Sequence, residues 1–162
     1  MAADINTKFN TAQAMNGTDT TVLSTDWIKG FAAQDWGAGD APKLEIIVTT
    51  TGAGAGTVRF EVGAVASDGT GFVPLASTPP IDPTTLVAPV VGTGTLNTMK
   101  GTRRLLSMSP LDSVPPGGLA TLTDTRMRAV FVGAVTGLAV SSQLVPREAM
   151  TQAPNHAYPA GF

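Results

Sequence analysis

Apolar and polar residues alternate most clearly in residues 43–65, which read KLEIIVTTTGAGAGTVRFEVGAV. A period of two predicts β-strands with one apolar and one wet face. The apolar faces would be formed by Leu44, Ile46 and Val48 in the first strand, and by Val58, Phe60 and Val62 in the second. Residues 51–56 between them are too short and too rich in glycine for a helix, and are typical of a turn that needs positive φ. The pattern therefore predicts a β-hairpin with one face in the core.

Further short apolar segments follow along the chain, separated by turns rich in Gly, Pro, Asn and Asp. They predict strands at residues 20–24, 72–76, 85–91, 101–108, 125–133 and 137–145, with a short turn joining the last two. Pro74 predicts an edge position for its strand, because proline cannot donate to a β-ladder. Helical spacing is confined to a short piece near residues 27–33. A chain of about eight to ten short strands favours an antiparallel sandwich or barrel.

The chain is expected to form one domain with an arm at each end, since 162 residues suffice for a single hydrophobic core. We predict an all-β fold, with an antiparallel β-sandwich at residues 21–146. Residues 1–20 are predicted to be an N-terminal arm or edge strand, and residues 147–162 a C-terminal tail. Both end segments lack a sustained apolar period.

Composition argues against several classes of partner. The net charge is −2, from 10 basic and 12 acidic residues without runs, so there is no basic patch for nucleic acid and no polybasic membrane anchor. No apolar run approaches the roughly 20 residues that span a bilayer, and the first residues lack the pattern of a secretory signal. We expect a soluble protein made in the cytoplasm, with neither nucleic acid nor membrane as a partner.

The low content of charge points to contacts with other polypeptides. Only 14% of the residues are charged, where about 25% is usual. A monomer normally keeps a charged coat for solubility, so a neutral exterior rich in Thr, Ala and Gly favours a surface that other subunits cover. The alternative is a Thr-rich β-protein whose surface is simply neutral.

Motifs for catalysis or metal binding are weak. The glycines of residues 52–56 lack the Lys-Ser/Thr and the helix of a phosphate-binding loop. His156 is the only histidine, no cysteine is present, and no nucleophile elbow suggests a catalytic serine. Asp68 fits an Asx turn better than a calcium site, and Glu45 and Glu61 are expected to pair with Lys43 or Arg59 on a wet sheet face. We therefore expect no enzyme, no cofactor and no metal, with hydrolysis by two carboxylates as the enzyme class that is hardest to exclude.

Several aromatic residues lie outside the predicted strands. Three roles are open for them: plugging the ends of the sandwich, contacting another protein, or binding sugar. They are Trp27, Trp36, Tyr158 and Phe162.

Three segments together resemble the capsid cement (decoration) proteins of tailed bacteriophages, of the kind found in a Bordetella phage. They are LEIIVTTTGAGAGTVRFEVG, GTRRLLSM and TRMRAVFVGAVTGLAVSSQLV. The resemblance spans about residues 43–145. Leu105 stands where an aromatic residue is expected from those proteins, and residues 147–162 have no counterpart in them.

The resemblance implies a jelly-roll sandwich that trimerises on the outside of an icosahedral head and bridges major capsid protein subunits, without catalysis. The expected location is the exterior of the virion. We expect the two arms and the loop tryptophans to contact partners, through Ile5, Phe9, Met15, Trp27, Trp36, Tyr158 and Phe162. The alternative functions are a carbohydrate-binding or receptor-binding jelly-roll module and, third, a small hydrolase.

Overall fold

A computed structural model describes residues 8–30, 43–88, 103–107, 109–110 and 121–145. Within these ranges the chain is nearly all β, contains no α-helix, and has one 3₁₀ turn at Pro83–Thr85. The strands form antiparallel sheets that pack on one another. The prediction of an all-β antiparallel sandwich is confirmed.

Eleven strands are present in the described part of the chain. They are β1 (Lys8–Ala14), β2 (Gly17–Thr18), β3 (Thr21–Leu23), β4 (Lys43–Thr50), β5 (Thr57–Val65), β6 (Val73–Ser77), β7 (Arg103–Ser107), β8 (Ser109–Pro110), β9 (Asp124–Val132), β10 (Ala134–Val135) and β11 (Ala139–Val145). One sheet has the order β1-β11-β4-β7 and the other has the order β3-β9-β5-β6-β8, while β2 and β10 pair separately. The side chains between the two large sheets form one core.

The chain passes from sheet to sheet at almost every step. Without the two-residue strands β2, β8 and β10, eight strands remain in the described residues. Numbered along the chain, they lie in the orders 1-8-3-6 and 2-7-4-5. Only the step from β5 to β6 stays within one sheet. Neighbouring strands are therefore mostly distant in sequence.

The predicted hairpin of β4 and β5 is wrong in its pairing. β4 lies between β11 and β7, whereas β5 lies between β9 and β6 in the opposite sheet. The predicted faces are correct, because all six predicted apolar side chains lie in the core. Likewise, β9 and β11 belong to different sheets and form no hairpin. Alternation specifies which face is buried but not which strand lies alongside.

Residues 51–56 are a crossover between the sheets rather than a hairpin turn. Gly54 has φ of 113°, and a Cβ there would overlap the carbonyl oxygen of Ala134. A Cβ on Gly56 would lie 2.6 Å from the carbonyl oxygen of Val132. The glycines let this crossover lie directly against the backbone that follows β9.

Of the two alternatives predicted for the N-terminal segment, an arm or an edge strand, the described residues from Lys8 onward form an edge strand. β1 is the edge strand of the four-stranded sheet, and β2 pairs with β10. Phe9 and Met15, which we expected to contact a partner, are instead 0% exposed in the core. Register shifts between Lys8 and Gln13 interrupt the alternation of β1, which explains why its sequence shows no clear period.

Candidate contact surfaces

The outer face of the five-stranded sheet carries a column of charged and then apolar side chains along β9. Met127, Ala129 and Phe131 point into the core, so the residues between them point outward. The outward residues are Arg126, Arg128, Val130 and Val132. Along β9 the outward side chains are therefore charged at one end of the strand and apolar at the other.

Glu61 on β5 lies opposite Arg128, in the charged part of β9. Its side chain is only 4% exposed and forms ion pairs with Arg59, at 2.9 Å, and with Arg128, at 2.7 Å. The Arg128 guanidinium also lies 4.5 Å from the centroid of the Phe72 ring. The pairing of Glu61 with Arg59 is as predicted, whereas Arg128 was not foreseen, because it comes from a strand 67 residues away. The Glu61 carboxylate has both oxygens engaged within the chain.

Trp27 is the predicted contact residue that the structure describes outside the core. Its indole Nε1 donates to Asp124 Oδ2 at 3.1 Å, and Asp124 also accepts a hydrogen bond from the Gly30 N–H at 3.0 Å. Lys29 Nζ lies over the ring at 5.3 Å from its centroid, and the Arg126 guanidinium lies at 5.1 Å. The half-buried indole is thus held by interactions inside the chain.

Arg126 connects two loops beneath that tryptophan. Its Nε donates to the Ser24 carbonyl at 3.0 Å, and its Nη1 donates to the Gly69 carbonyl at 2.8 Å. Burial lowers the pKa of Arg126, and the nearby Asp26 carboxylate partly opposes that shift. The guanidinium stays charged and ties the chain after β3 to the turn between β5 and β6.

Two exposed aspartates are structural turn residues. Asp68 Oδ1 accepts hydrogen bonds from the hydroxyl and the N–H of Thr70, at 2.6 and 3.0 Å. Asp82 Oδ1 likewise accepts hydrogen bonds from the hydroxyl and the N–H of Thr84, at 2.7 and 2.9 Å. These hydrogen bonds lower the pKa of both carboxyls. The bond from the threonine hydroxyl makes the largest contribution, and the bond from the N–H adds to it. The Asx turn predicted at Asp68 is confirmed.

Apolar side chains are exposed on the outer faces of both sheets. Ile47 is 41% and Leu105 47% exposed, and they lie diagonally across β4 and β7. On the five-stranded sheet, Leu23 is 40% and Val132 65% exposed. Exposure of these four side chains was not predicted from the sequence. Their signal was the presence of Leu, Ile or Val at the outward positions of strands, where polar residues are usual.

The described ranges contain neither a cluster of metal ligands nor a membrane-spanning helix. No group of three or more His, Asp or Glu side chains there is arranged to hold a metal ion. None of the helical segments in those ranges is long and apolar enough to cross a membrane.

Other predicted contact residues lie outside the described residues. They are Ile5, Trp36, Tyr158 and Phe162, together with His156 and the tail at residues 147–162.

Comparison with known proteins adds no family to this picture. No protein-family model matches the sequence, and no curated protein shows significant similarity to it. Fold, surface and resemblance are the grounds on which a function can be argued.

Proposed function

We propose that this chain is a structural protein of a phage virion, which binds the outer surface of an icosahedral head as an oligomer. It would stabilise the head by bridging major capsid protein subunits. The observation that carries the proposal is the strand order, 1-8-3-6 in one sheet and 2-7-4-5 in the other. We infer from this order that the sandwich is a jelly roll, the fold implied by the resemblance to cement proteins.

Jelly rolls occur both in viral capsid proteins and in lectins, so the fold alone does not choose between them. The surface favours a protein partner. A sugar-binding aromatic residue needs an open ring face, whereas two cations lie over the Trp27 ring and its N–H is bonded to Asp124. Exposed Ile47, Leu105, Leu23 and Val132 are typical of contact with another polypeptide.

Four of the described carboxylates favour a non-catalytic role. Glu61 forms ion pairs with two arginines. Asp124 accepts hydrogen bonds from Trp27 and Gly30. Asp68 and Asp82 are bound in their own turns. A hydrolase of the two-carboxylate type needs a pair of acids facing a substrate, and these four face groups of their own chain.

Stabilisation would come from several weak contacts made at once. An oligomer that touches more than one capsid subunit makes its second contact at high effective concentration, because the first contact holds it in place. A sandwich whose core is closed loses little conformational freedom on docking. Each added contact then opposes separation of the subunits that it joins.

The test compares phage heads that contain the chain with heads from a phage lacking its gene. We expect the purified chain to sediment with the deficient heads at a fixed ratio to the major capsid protein. It should also raise the temperature at which those heads release DNA. A matched sample of unrelated jelly-roll protein serves as control.

Failure to sediment with heads would overturn the proposal. A glycan array distinguishes the alternative, since a carbohydrate-binding or receptor-binding module should show a sugar preference and a cement protein should not.

A further inference from the structure

Asn16 lies between β1 and β2. Its side chain is exposed, and no hydrogen bond to another described residue holds its amide group. It is the one asparagine of the sequence that is followed by glycine. Gly17 places no side chain beside its own nitrogen and leaves the backbone free to rotate. The nitrogen of Gly17 can therefore approach the side-chain carbonyl of Asn16 when this segment opens.

We propose that Asn16 is a site of spontaneous deamidation in the folded protein. The Gly17 nitrogen attacks the side-chain carbonyl carbon of Asn16, and a C–N bond forms as this nitrogen loses its proton. The bond from that carbon to the amide nitrogen breaks, and ammonia leaves with the proton. The product is a cyclic imide. The reaction requires no oxidant, reductant or second protein.

Water then opens the imide at one of its two carbonyls. Addition at the former side-chain carbonyl gives aspartate, with the main chain unchanged. Addition at the main-chain carbonyl gives isoaspartate, in which the main chain runs through the former side chain. Each product carries a new negative charge in place of a neutral amide.

Local opening at this site breaks few interactions. β2 has two residues, and its ladder with β10 consists of the pairs Gly17–Val135 and Thr18–Ala134. Asn16 itself belongs to neither strand. A short ladder opens at a lower free energy than the strands of the core, so the reactive conformation is reached without global unfolding.

Asp68 and Gly69 form a comparable pair, because an aspartate followed by glycine forms the same imide with loss of water. Asp68 Oδ1 accepts two hydrogen bonds from Thr70, and the Gly69 N–H donates to the Ala66 carbonyl at 2.8 Å. The carboxyl and the attacking nitrogen are both engaged, so this pair should stay unreacted.

Asn10 is protected by burial. It is 0% exposed, its carbonyl oxygen accepts a hydrogen bond from the Ser142 hydroxyl at 2.7 Å, and its amide nitrogen donates to Gln13 at 3.2 Å. Thr11 follows it, and a β-branched side chain hinders the attacking nitrogen. Asn10 and Asp68 are therefore internal controls for Asn16.

Isoaspartate should disturb the structure, because the chain is fixed on both sides of Asn16. The Met15 N–H donates to the Leu138 carbonyl at 2.8 Å, and Met15 is 0% exposed. A Cβ on Gly17 would lie 2.9 Å from a Phe131 ring carbon. Isoaspartate adds one C–C bond, about 1.5 Å, to the main chain between these contacts, whereas aspartate adds none.

Incubation of the purified chain in mildly alkaline buffer, followed by peptide mass spectrometry, tests the site. We expect aspartate and isoaspartate at position 16. Isoaspartate there should be at least about tenfold more abundant than at Asn10, because opening of the core costs more free energy. The peptide with Asp68 should stay unchanged. N16Q is the matched control, since a longer side chain disfavours ring closure, and it should not react at this position.

Thermal unfolding separates the effects of the two products. N16D carries the new charge on an unaltered main chain and should unfold close to the wild-type temperature. The isoaspartate fraction of the incubated wild type should unfold at a lower temperature than N16D, whereas N16Q should be unchanged by the incubation.

If Asn16 stays intact in the native chain while it reacts in urea, or if Asn10 reacts equally, the proposal is overturned. An isoaspartate form as stable as N16D would overturn the assigned effect on β2. None of these experiments uses phage heads, so their result is independent of the proposed virion function.

Discussion

Glu61 is a buried carboxylate whose loss should be costly. Its two oxygens bind Arg59 and Arg128, and its side chain is 4% exposed. We expect Glu61→Gln to lower the free energy of unfolding by about 2 kcal/mol, because a charge-assisted bond is lost and Arg128 loses its counter-ion. Urea unfolding of the purified protein measures this.

Arg59 provides the matched control, because its side chain is 44% exposed. Solvent screens its ion pair, so Arg59→Ala should cost at most about 1 kcal/mol. If E61Q is as stable as the wild type, or R59A is the more damaging change, the carboxylate does not have the structural role assigned to it.

Asp82 allows a prediction about pH. Hydrogen bonds from the hydroxyl and N–H of Thr84 hold the pKa of Asp82 below its ordinary value of 3.8. Because the pKa is lower in the folded state, the ionised Asp82 carboxylate stabilises the fold at pH values above 3.8. This stabilisation is lost as the pH falls through the folded-state pKa. Thr84→Ala removes the hydroxyl, which is the largest contribution, and should raise this pKa. An NMR titration of the Asp82 carboxyl carbon follows it, with Asp68 as the unchanged reference.

The crossover between β4 and β5 should tolerate substitution poorly. At Gly54 an added Cβ would meet the Ala134 carbonyl, whereas at Gly30, with φ of 66°, nothing lies within 4 Å. Both glycines have positive φ, so Gly30→Ala should cost about 1 kcal/mol from backbone strain alone. Gly54→Ala should cost about 2 kcal/mol more, because it adds the overlap. Equal losses in thermal unfolding would show that the crossover is not closely packed.

Local pattern predicted the faces of β4 and β5 but not their neighbours. Leu44 and Phe60 lie in the core as the alternation indicates. One neighbour of β4 is β11, about 100 residues later in the chain, and no periodicity within β4 encodes that choice. The glycines at residues 52–56 correctly predicted a backbone with positive φ. A hairpin turn and a crossover both require such residues, so the sequence did not distinguish them.

The candidate surfaces were predicted less well than the strands. The shifted register of β1 hides its apolar period, so the sequence left an arm and an edge strand open for this segment and predicted partner contact for Phe9 and Met15, yet both are fully buried. Leu105 and Val132 were correctly predicted to lie in strands, but the sequence did not predict that their side chains are on the outer face and exposed. Once strands are placed, their outward positions identify the apolar side chains that stay exposed, and an exposed apolar patch is a candidate contact surface.

At the scale of the whole molecule, several of the charges in the described residues are used for internal contacts. Glu61 and Arg128 form an ion pair, Arg126 donates to the Ser24 carbonyl, and Asp124 accepts a hydrogen bond from Trp27. With 14% of residues charged overall, little charge remains for attraction to a partner. Association should then depend on shape and apolar contact rather than on long-range electrostatics.

Head binding should therefore respond weakly to salt. Raising the ionic strength from about 0.1 to about 1 M shortens the Debye length from about 10 Å to about 3 Å, which weakens contacts between exposed charges. We expect occupancy of phage heads by the chain to change less than about twofold over that range, as apolar contacts are not screened. Sedimentation with heads at each salt concentration measures it. A steep loss of occupancy at high salt would instead mean that exposed charges such as Arg59 mediate the contact, and the apolar outer faces would lose their assigned role.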